Sequence, residues 1–328
     1  MAIHVHKAGL LDTIQDAGRY GYQHWGINPG GAMDMTAMRV ANMLVGNDPD
    51  EAVIEMHIPA ATIFFEETAL IALAGADIIA MVNDMEIPVY QPVLVAVGSV
   101  LRFLQQRSGC RIYFAVHGGM QTDEWLGSHA THLKVKTGGW KGRSLQKDDR
   151  IPLRRTIPYK VDGACKVFPW KADHTELYVQ QVFSFIAGAE YNWLDDESRR
   201  QIETASFIIG RNSDRMGFRL QGAALHTTMA IEMISTAVTR GAIQLLPDGQ
   251  LIILMADHQT TGGYPRIGHI TTAAISSLSQ MPPGAEIKFA MTSIAGAEAM
   301  LLQQERNLQQ LQNACTLRLD AFLTTLDQ

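Results

Sequence analysis

Two apolar runs flank a Pro-Asp-Gly turn in the stretch Ile243-Gln-Leu-Leu-Pro-Asp-Gly-Gln-Leu-Ile-Ile-Leu-Met-Ala256. Proline fixes φ, aspartate bonds to its own backbone and glycine accepts positive φ, so this tripeptide favours a tight turn. Apolar runs joined by such a turn predict a β-hairpin. The stretch therefore indicates an antiparallel, β-rich fold in this part of the chain.

Strand signals of the same kind dominate the chain as far as about residue 290. Runs of β-branched and aromatic residues bounded by Gly, Pro or Asn predict strands at Ala61–Phe65, Ala69–Ala74, Val93–Val97 and Arg111–Val116. Helical patterns are few, and the clearest runs from Met33 to Leu44 with Asp34 as its N-cap. Strands that do not alternate regularly with helices favour β-barrels or sandwiches over a parallel sheet. We therefore expect a mainly β chain.

A domain boundary is expected between Asp148 and Asp173, a segment rich in proline and charge with no clear hydrophobic period. This predicts a β-rich domain over residues 1–160 and a second one over 174–295. The tail, 296–328, differs because Ala297–Leu326 lacks Gly and Pro and repeats apolar residues at helical spacing. The repeated positions are Leu301, Leu308, Leu311, Cys315, Leu319, Phe322 and Leu326. We expect an amphipathic helix with Leu308, Leu311, Phe322 and Leu326 buried.

Composition excludes several classes of protein. The 328 residues carry a net charge of −6, which argues against a nucleic-acid partner. The three cysteines, Cys110, Cys165 and Cys315, are widely spaced and odd in number, so neither a disulfide framework nor a CxxC metal knuckle is expected. The longest apolar run is far too short to span a bilayer, and the N-terminus lacks a signal-peptide core. A cytoplasmic protein without a membrane partner is expected.

A glycine-rich loop of about two dozen residues runs from Thr13 to Asp34 and contains Gln15, Asp16 and Arg19. Long irregular loops are uncommon in compact domains and are usually functional. This loop has no lysine, so it is not a P-loop, and its glycines do not follow the dinucleotide-binding spacing. The glycines are expected to let the backbone turn sharply and come close to a ligand or a partner.

A second polar segment is Ile209-Gly-Arg-Asn-Ser-Asp-Arg-Met-Gly-Phe-Arg-Leu-Gln-Gly222. If the part from Arg215 onward is extended, Arg215 and Arg219 share one face with open space at Gly217 between them. Two guanidinium groups so placed suit a carboxylate, a phosphate or a ureido oxygen. The alternative is a solvated face or a structural ion pair with Asp214.

A third segment, Asp257-His-Gln-Thr-Thr-Gly-Gly-Tyr-Pro-Arg266, directly follows the apolar strand. Polar groups at the end of a buried strand are a common location for sites. Hydroxyls and amides of this segment are suited to an anion, and Asp257 to a base or an orienting group. The residues concerned are Thr260, Thr261, Gly262 and Gly263. The alternative is a wide β-turn capped by Asp257.

Metal and nucleotide motifs are incomplete. His117, His129 and His132 lie close in sequence, but no Cys or HExxH pattern supplies the further ligands that zinc requires. We therefore expect no metal, with these histidines at the surface or hydrogen-bonded. Thr137–Ser144 is glycine-rich and contains Lys141, yet it does not match GxxxxGK[ST].

Several linked motifs resemble one family, the KipA-like proteins. Other names for this family are the biotin-dependent carboxyltransferase family, allophanate hydrolase subunit 2 and the 5-oxoprolinase C subunit. The matching motifs are Thr13-Ile-Gln-Asp-Ala-Gly-Arg19, Gly31-Ala-Met-Asp34, Ala41-Asn-Met-Leu-Val-Gly-Asn47 with Glu55, Gly118-Gly119, the segment 127–142, Ser213-Asp-Arg-Met-Gly-Phe-Arg-Leu220 and Asp257-His-Gln-Thr-Thr-Gly-Gly-Tyr264. The resemblance covers about residues 3 to 295 in order and without large gaps.

The resemblance implies a cyclophilin-like barrel architecture and therefore two β-barrel-like domains followed by the C-terminal helix. It also implies functional polar positions along the chain. Asp16, Arg215, Arg219 and Asp257 are the expected catalytic residues. The expected ligand-binding residues are Gln15, Arg19, Asp34, Thr260, Thr261, Gly262, Gly263 and Tyr264.

Three functions are compatible with the resemblance. The first is a component of an ATP-dependent 5-oxoprolinase, acting with KipI-like and LamB/YcsF-like partner subunits. ATP would be used in the complex, on this chain or on a partner. The second is carboxyl transfer from carboxybiotin to urea or a urea-like substrate. The third is non-enzymatic binding of a KipI-like kinase inhibitor. The family names differ about the chemistry, so the sequence leaves these alternatives open.

Overall fold

The structure is a computed structural model that describes residues 2–155, 157–159, 161–173, 178, 181–228 and 233–326. The chain forms two compact units. The first comprises Met1–Arg19, Asp34–Thr175 and Asn307–Gln328, and the second comprises Tyr20–Met33 and Glu176–Arg306. The long glycine-rich loop is therefore divided, and most of it belongs to the second unit.

Ten strands form one sheet in the first unit. They are β1 (Ala2–Lys7), β2 (Thr13–Gln15), β3 (Val53–His57), β4 (Thr62–Phe65), β5 (Ala69–Val82), β6 (Met85–Ile87), β7 (Val93–Val95), β8 (Val100–Val116), β9 (Arg150–Pro152) and β10 (Cys165–Val167). The main path through the sheet is β10-β7-β5-β8-β4-β1-β9, with β2, β3 and β6 attached to it. The strands predicted from β-branched and aromatic runs are confirmed, although β5 and β8 are much longer than predicted.

Helix α1 (Met35–Leu44) packs against the long antiparallel pair β5 and β8. Its N-cap is Asp34, as predicted, because a carboxylate oxygen accepts a hydrogen bond of 2.9 Å from the amide of Ala37. Met38 and Ala41, which lie three positions apart and so share a face of the helix, are fully buried. The helix start is therefore fixed by the last residue of the glycine-rich loop.

The segment 148–173, which has no clear hydrophobic period, supplies two strands to the first sheet. Strand β9 pairs with β1, and β10 pairs with β7, both antiparallel. Each pairing involves only three residues of the segment. Three residues are too few for a recognisable alternation of apolar and polar residues, so the sequence does not reveal these strands.

The second unit contains a closed seven-stranded barrel in the order β11-β18-β15-β16-β13-β12-β19. The second unit's strands are β11 (Val182–Ala187), β12 (Phe207–Ile209), β13 (Gly217–Gln221), β14 (Thr236–Ala237), β15 (Ala242–Leu245), β16 (Leu251–Leu254), β17 (Thr261–Gly262), β18 (Arg266–Ile270) and β19 (Glu286–Met291). Strands β14 and β17 form a separate two-stranded ribbon. The second unit also contains helices α2 (Asp196–Thr204) and α3 (Thr272–Ser279) and the first part of the C-terminal helix. The mainly β class and the barrel are thus confirmed.

The hairpin predicted at Pro247-Asp-Gly249 joins β15 and β16. The amide of Gly249 donates to the carbonyl of Leu246 over 2.9 Å, and Gly249 has a φ of 80°. Asp248 accepts a hydrogen bond of 3.0 Å from the amide of Gln250. Inside the barrel, Ile243, Ile253 and other apolar residues of alternating positions form one core.

The predicted tail helix is α4 (Ile294–Leu326), which begins three residues before the predicted start. In the first unit, Leu308, Cys315 and Leu319 are buried. Leu311 and Phe322 are half-buried, and the Phe322 ring lies 4.3 Å from that of Phe168. The prediction for Leu308 is confirmed, while the side chain of Leu326 lies outside the described residues.

Along the parts of the chain that the structure describes, no helix has both the length and the apolar character needed to cross a bilayer.

Candidate functional site

Three hydrogen bonds hold the carboxylate of Asp16, an expected site residue in the first unit. Its carboxylate accepts hydrogen bonds from the amide of Gly18 over 2.8 Å, from the hydroxyl of Ser128 over 2.7 Å and from the amide of His129 over 2.5 Å. The side chain is only 6% exposed. Asp16 therefore ties the glycine-rich loop to the segment around residue 128, a connection that no motif in the sequence indicates.

Arg19 joins the same two segments. Its guanidinium donates to the carbonyl of Ala130 and lies over the ring of Trp125, 4.9 Å from the centroid. Gly138 packs closely against this carbonyl, since a Cβ added there would lie 2.5 Å from the Ala130 oxygen. Gln15, also buried, donates a hydrogen bond of 2.9 Å to Thr13. The close approach to Ala130, together with a φ of 67°, explains why glycine stands at position 138.

A buried polar chain links Asp34 to the sheet of the first unit. The hydroxyl of Tyr113 accepts a hydrogen bond of 2.7 Å from the amide of Asp34 and donates one of 2.9 Å to Glu55. Burial, together with the negative charges of Glu55 and Asp34, raises the pKa of Tyr113 well above its usual value. The phenol therefore stays protonated and can act as the donor to Glu55.

In the second unit, Arg215 and Asp257 form a bidentate ion pair. The Nε and an Nη of Arg215 donate to the two carboxylate oxygens over 2.8 and 3.0 Å. The same Nη donates over 2.7 Å to the carbonyl of Gly31, and the Asp257 amide bonds to the Arg215 carbonyl over 2.8 Å. The Arg215 side chain is 6% exposed and that of Asp257 is 24% exposed. The structural Arg–Asp pair that was an alternative on the sequence exists, but its carboxylate is Asp257 and not Asp214.

The two arginines that were expected to share a face do not share one. Asp214 accepts hydrogen bonds from the amides of Met216 and Gly217, so the chain turns there and β13 begins only at Gly217. Arg215 precedes the strand and is buried, whereas Arg219 lies on the strand and is exposed. Gly217 lines the same open groove as Arg219, although an added Cβ would lie 2.8 Å from the Ile252 side chain.

Arg219 lines a groove in the second unit with a volume of about 480 Å³. The lining mixes amide, charged and phenolic groups with an apolar floor. Its polar side chains are Asn212, Asp214, Arg219, Gln244, Asp248, Gln259 and Tyr264, and its apolar ones include Met216, Leu246, Pro247 and Ile252. The size and the mixed lining suit a small polar ligand with a compact apolar body.

The segment from Thr260 to Tyr264 contributes to one wall of this groove. Thr261 and Gly262 form β17, which pairs with β14, and the carbonyl of Thr260 accepts from Val238 over 3.1 Å. Tyr264 is 42% exposed and lines the groove. The segment predicted as an anion cradle is therefore one strand of a ribbon followed by a groove residue.

Gln244 was not among the residues predicted from the sequence. It is 1% exposed and lines the groove, and neither its amide nitrogen nor its amide oxygen has a hydrogen-bond partner among the described residues. A signal for it exists, because Gln244 is a single polar residue inside the apolar run of β15. A buried amide at such a position needs a hydrogen-bond partner, and this requirement could have identified Gln244 as a candidate site residue.

The histidines considered as metal ligands have other partners. His117 bonds to the carbonyl of Val45 over 2.7 Å, and His129 to Thr122 over 3.0 Å. His132 accepts from the amide of Val135 over 3.3 Å. Within the described ranges, no group of three or more His, Cys, Asp or Glu residues is placed to hold a metal ion.

The chain is similar to known proteins over most of its length. The family model described as carboxyltransferase domain, subdomain A and B, matches residues 25–291. The chain is 35% identical to the 5-oxoprolinase C subunit of Escherichia coli (strain K12) over 306 residues, which cover 93% of this chain and 96% of that protein. It is 33% identical to the 5-oxoprolinase C subunit of Haemophilus influenzae, covering 91% of this chain and 94% of that protein.

Among solved structures, K. lactis urea amidolyase superposes with a TM-score of 0.87 at 25% identity. The superposition covers 94% of this chain but only 20% of that much larger chain. The family match, which extends over most of the chain, shows that the chain belongs to the family of carboxyltransferase domains with subdomains A and B.

Proposed function

Since the chain is a member of that family, we propose that it is the C subunit of an ATP-dependent 5-oxoprolinase. The observation that carries this proposal is the extent of the similarity to two proteins that are named as C subunits of 5-oxoprolinase. Each aligns over more than nine tenths of its own length and of this chain. The urea amidolyase of known structure, by contrast, is matched over only a fifth of its length.

In this proposal, the complex opens the lactam of 5-oxoproline to glutamate with ATP and water. A lactam is a stable amide, so ATP is needed to activate its carbonyl. The partners are KipI-like and LamB/YcsF-like subunits, with ATP bound in the complex. A KipI-like partner also suits the non-enzymatic alternative, but the similarity to named enzyme subunits favours the enzyme.

The groove in the second unit is the proposed ligand site. Arg219 is exposed there and can donate a bidentate pair to the substrate carboxylate or to an activated carbonyl oxygen. Tyr264 adds a hydroxyl to the lining of the same groove. Arg215 and Asp257 neutralise one another, and we assign them a positioning role, because Asp257 begins the segment that ends at Tyr264.

A second candidate is carboxyl transfer from carboxybiotin to urea or a urea-like nitrogen. It is favoured by the family to which the chain belongs and by the superposition on urea amidolyase. In that reaction, Arg219 would hold the carboxylate or ureido oxygen. Biotin, rather than ATP-activated lactam, would then occupy the groove.

The test is reconstitution with purified subunits. The chain alone is expected to hydrolyse neither ATP nor 5-oxoproline, because no complete nucleotide motif occurs in it. With the KipI-like and LamB/YcsF-like partners added, ADP release should depend on 5-oxoproline, and glutamate should form in equal amount. Full turnover by the chain alone would contradict the multi-subunit proposal. A complex inert with 5-oxoproline but able to transfer the carboxyl group of carboxybiotin to urea, with free biotin and carboxylated urea formed in equal amount, would favour the second candidate.

A further inference from the structure

Gln244 lies on the outer side of the barrel in line with Arg219. Register pairs Arg219 with Ile252 and Ile252 with Gln244, so these three residues form one row across β13, β16 and β15. Their neighbours Phe218, Ile253 and Ile243 belong to the core, so the row faces away from it. Two strand spacings separate the outer members by roughly 10 Å. The two side chains together with one small ligand are long enough to span this separation.

The amide of Gln244 is buried without a partner. Its nitrogen and oxygen both lack a hydrogen bond among the residues that the structure describes, although the side chain lines the groove. Buried polar groups are almost always paired, because an unpaired one loses its hydration without compensation. A glutamine kept in this state is destabilising, so its role is expected to be in binding rather than in folding.

The β14–β17 ribbon covers this amide. A Cβ added to Gly262 would lie 2.6 Å from the Gln244 nitrogen, so a side chain at this position would displace the amide. Thr236, the register partner of Gly262, also has a buried hydroxyl oxygen without a described partner. Two groove residues, Gln259 and Tyr264, lie just before and just after β17. The ribbon belongs to no larger sheet among the described strands, and such two-stranded pieces are only marginally stable alone.

We infer that Gln244 recognises the cis-amide edge of a five-membered ring, exposed to the ligand when the β14–β17 ribbon lifts, while Arg219 holds a carboxylate of the same ligand. The inference rests on the proposed function for the choice of 5-oxoproline. A small ring fixes its N–H and C=O on one side, and a glutamine amide offers an acceptor and a donor in the matching order. Two hydrogen bonds form, and both unpaired atoms of Gln244 are satisfied. The ureido edge of biotin has the same chemistry.

The test uses the complex with both partner subunits and the variant Gln244→Met, which keeps the volume and removes both polar atoms. The KM for 5-oxoproline should rise at least about tenfold. The melting temperature of the full-length variant chain should stay equal or rise, because no hydrogen bond is lost. Gln221→Met, at an exposed position of β13 outside the groove lining, is the matched control and should change neither quantity.

A structural role for Gln244 gives the opposite pattern, and a lower melting temperature with unchanged KM would overturn the inference. Whether the ligand is 5-oxoproline or biotin is decided by the shift that each causes in the melting temperature of the complex. 5-Oxoproline and biotin are compared with 2-pyrrolidone, which lacks the carboxylate, and with proline, which lacks the lactam carbonyl. Binding of proline as tight as that of 5-oxoproline would also overturn the inference.

The two proposals fail separately. Turnover of 5-oxoproline that is indifferent to Gln244→Met retains the proposed function and removes the role of Gln244. Absence of turnover, with biotin binding that depends on Gln244, retains the cis-amide site and removes the 5-oxoprolinase proposal. If none of the cis-amide probes shifts the melting temperature of the wild-type complex, the inference is wrong.

Discussion

Replacing Arg215 with lysine should destabilise the second unit, because the arginine makes three hydrogen bonds that lysine cannot reproduce. Two of them reach the carboxylate of Asp257 and one reaches the carbonyl of Gly31, all at 3.0 Å or less. Lysine keeps the charge but has no planar fork, so it can retain about one of the three. Hydrogen bonds to charged groups contribute about 1.5–3 kcal/mol each.

The expected loss is about 2–3 kcal/mol rather than the full sum, because Asp257 is 24% exposed and water can replace part of its bonding. For a domain of this size, the melting temperature should fall by roughly 5–10 °C. Differential scanning calorimetry of the purified chain measures this fall. Arg219→Lys is the matched control, since Arg219 is exposed, and its melting temperature should change by less than about 2 °C.

Activity in the reconstituted complex completes the comparison. Arg219→Lys should lower kcat/KM strongly at unchanged stability, whereas Arg215→Lys should lower activity in proportion to the folded fraction. An Arg215→Lys variant as stable as the wild type, yet inactive, would refute the structural reasoning and restore Arg215 as a ligand-binding group. Adding Asp257→Asn to Arg215→Lys should cost less stability than Asp257→Asn alone, since lysine has already lost most of the hydrogen bonds of the pair.

Two further predictions concern the first unit. Burial alone would raise the pKa of Asp149, but the bidentate hydrogen bonds from Arg143 outweigh it and lower this pKa to about 2. The pair therefore stabilises the fold above about pH 4, and this stabilisation is lost as the pH falls towards 2. Arg143→Met should lower the free energy of unfolding in urea by about 2 kcal/mol at pH 6 and by little at pH 2. An equal loss at both pH values would contradict this prediction. In α4, Leu319→Ala should lower the free energy of unfolding by about 2–4 kcal/mol, because Leu319 is buried. Leu317→Ala, at a 72% exposed position, should leave it unchanged. Equal effects of the two variants in thermal unfolding would exclude the predicted packing of this helix.

Local signals predicted those elements whose cause is local. Asp34 caps α1 through its own side chain, and Pro247-Asp-Gly249 forms the hairpin turn. The α4 helix follows from apolar spacing over more than thirty residues, which is long enough to be unambiguous. In each case, the residues that determine the element are within a few positions of one another.

Contacts between distant residues could not be predicted in this way. Asp16 and Ser128 are 112 positions apart, and Arg215 and Gly31 are 184 apart. The error at Arg215 had a local origin as well, because Asp214 forms a turn that displaces Arg215 from the strand. Alternation along a strand assigns faces only where the strand has begun.

Two buried polar side chains of the second unit, Arg215 and Gln244, provide the sharpest test, because their hydrogen bonding predicts opposite effects of replacement on the free energy of unfolding. Arg215 has all its described partners at short range, so truncating it leaves Asp257 with an unpaired charge and must destabilise. Gln244 has none among the described residues, so an apolar replacement removes an unpaired amide and should not destabilise. If Gln244→Met nevertheless binds the ligand more weakly, the glutamine lowers the stability of the fold and is kept because it binds the ligand. If both variants destabilise the chain equally, the amide has a structural partner, and the groove must recognise its ligand through Arg219 and Tyr264 instead.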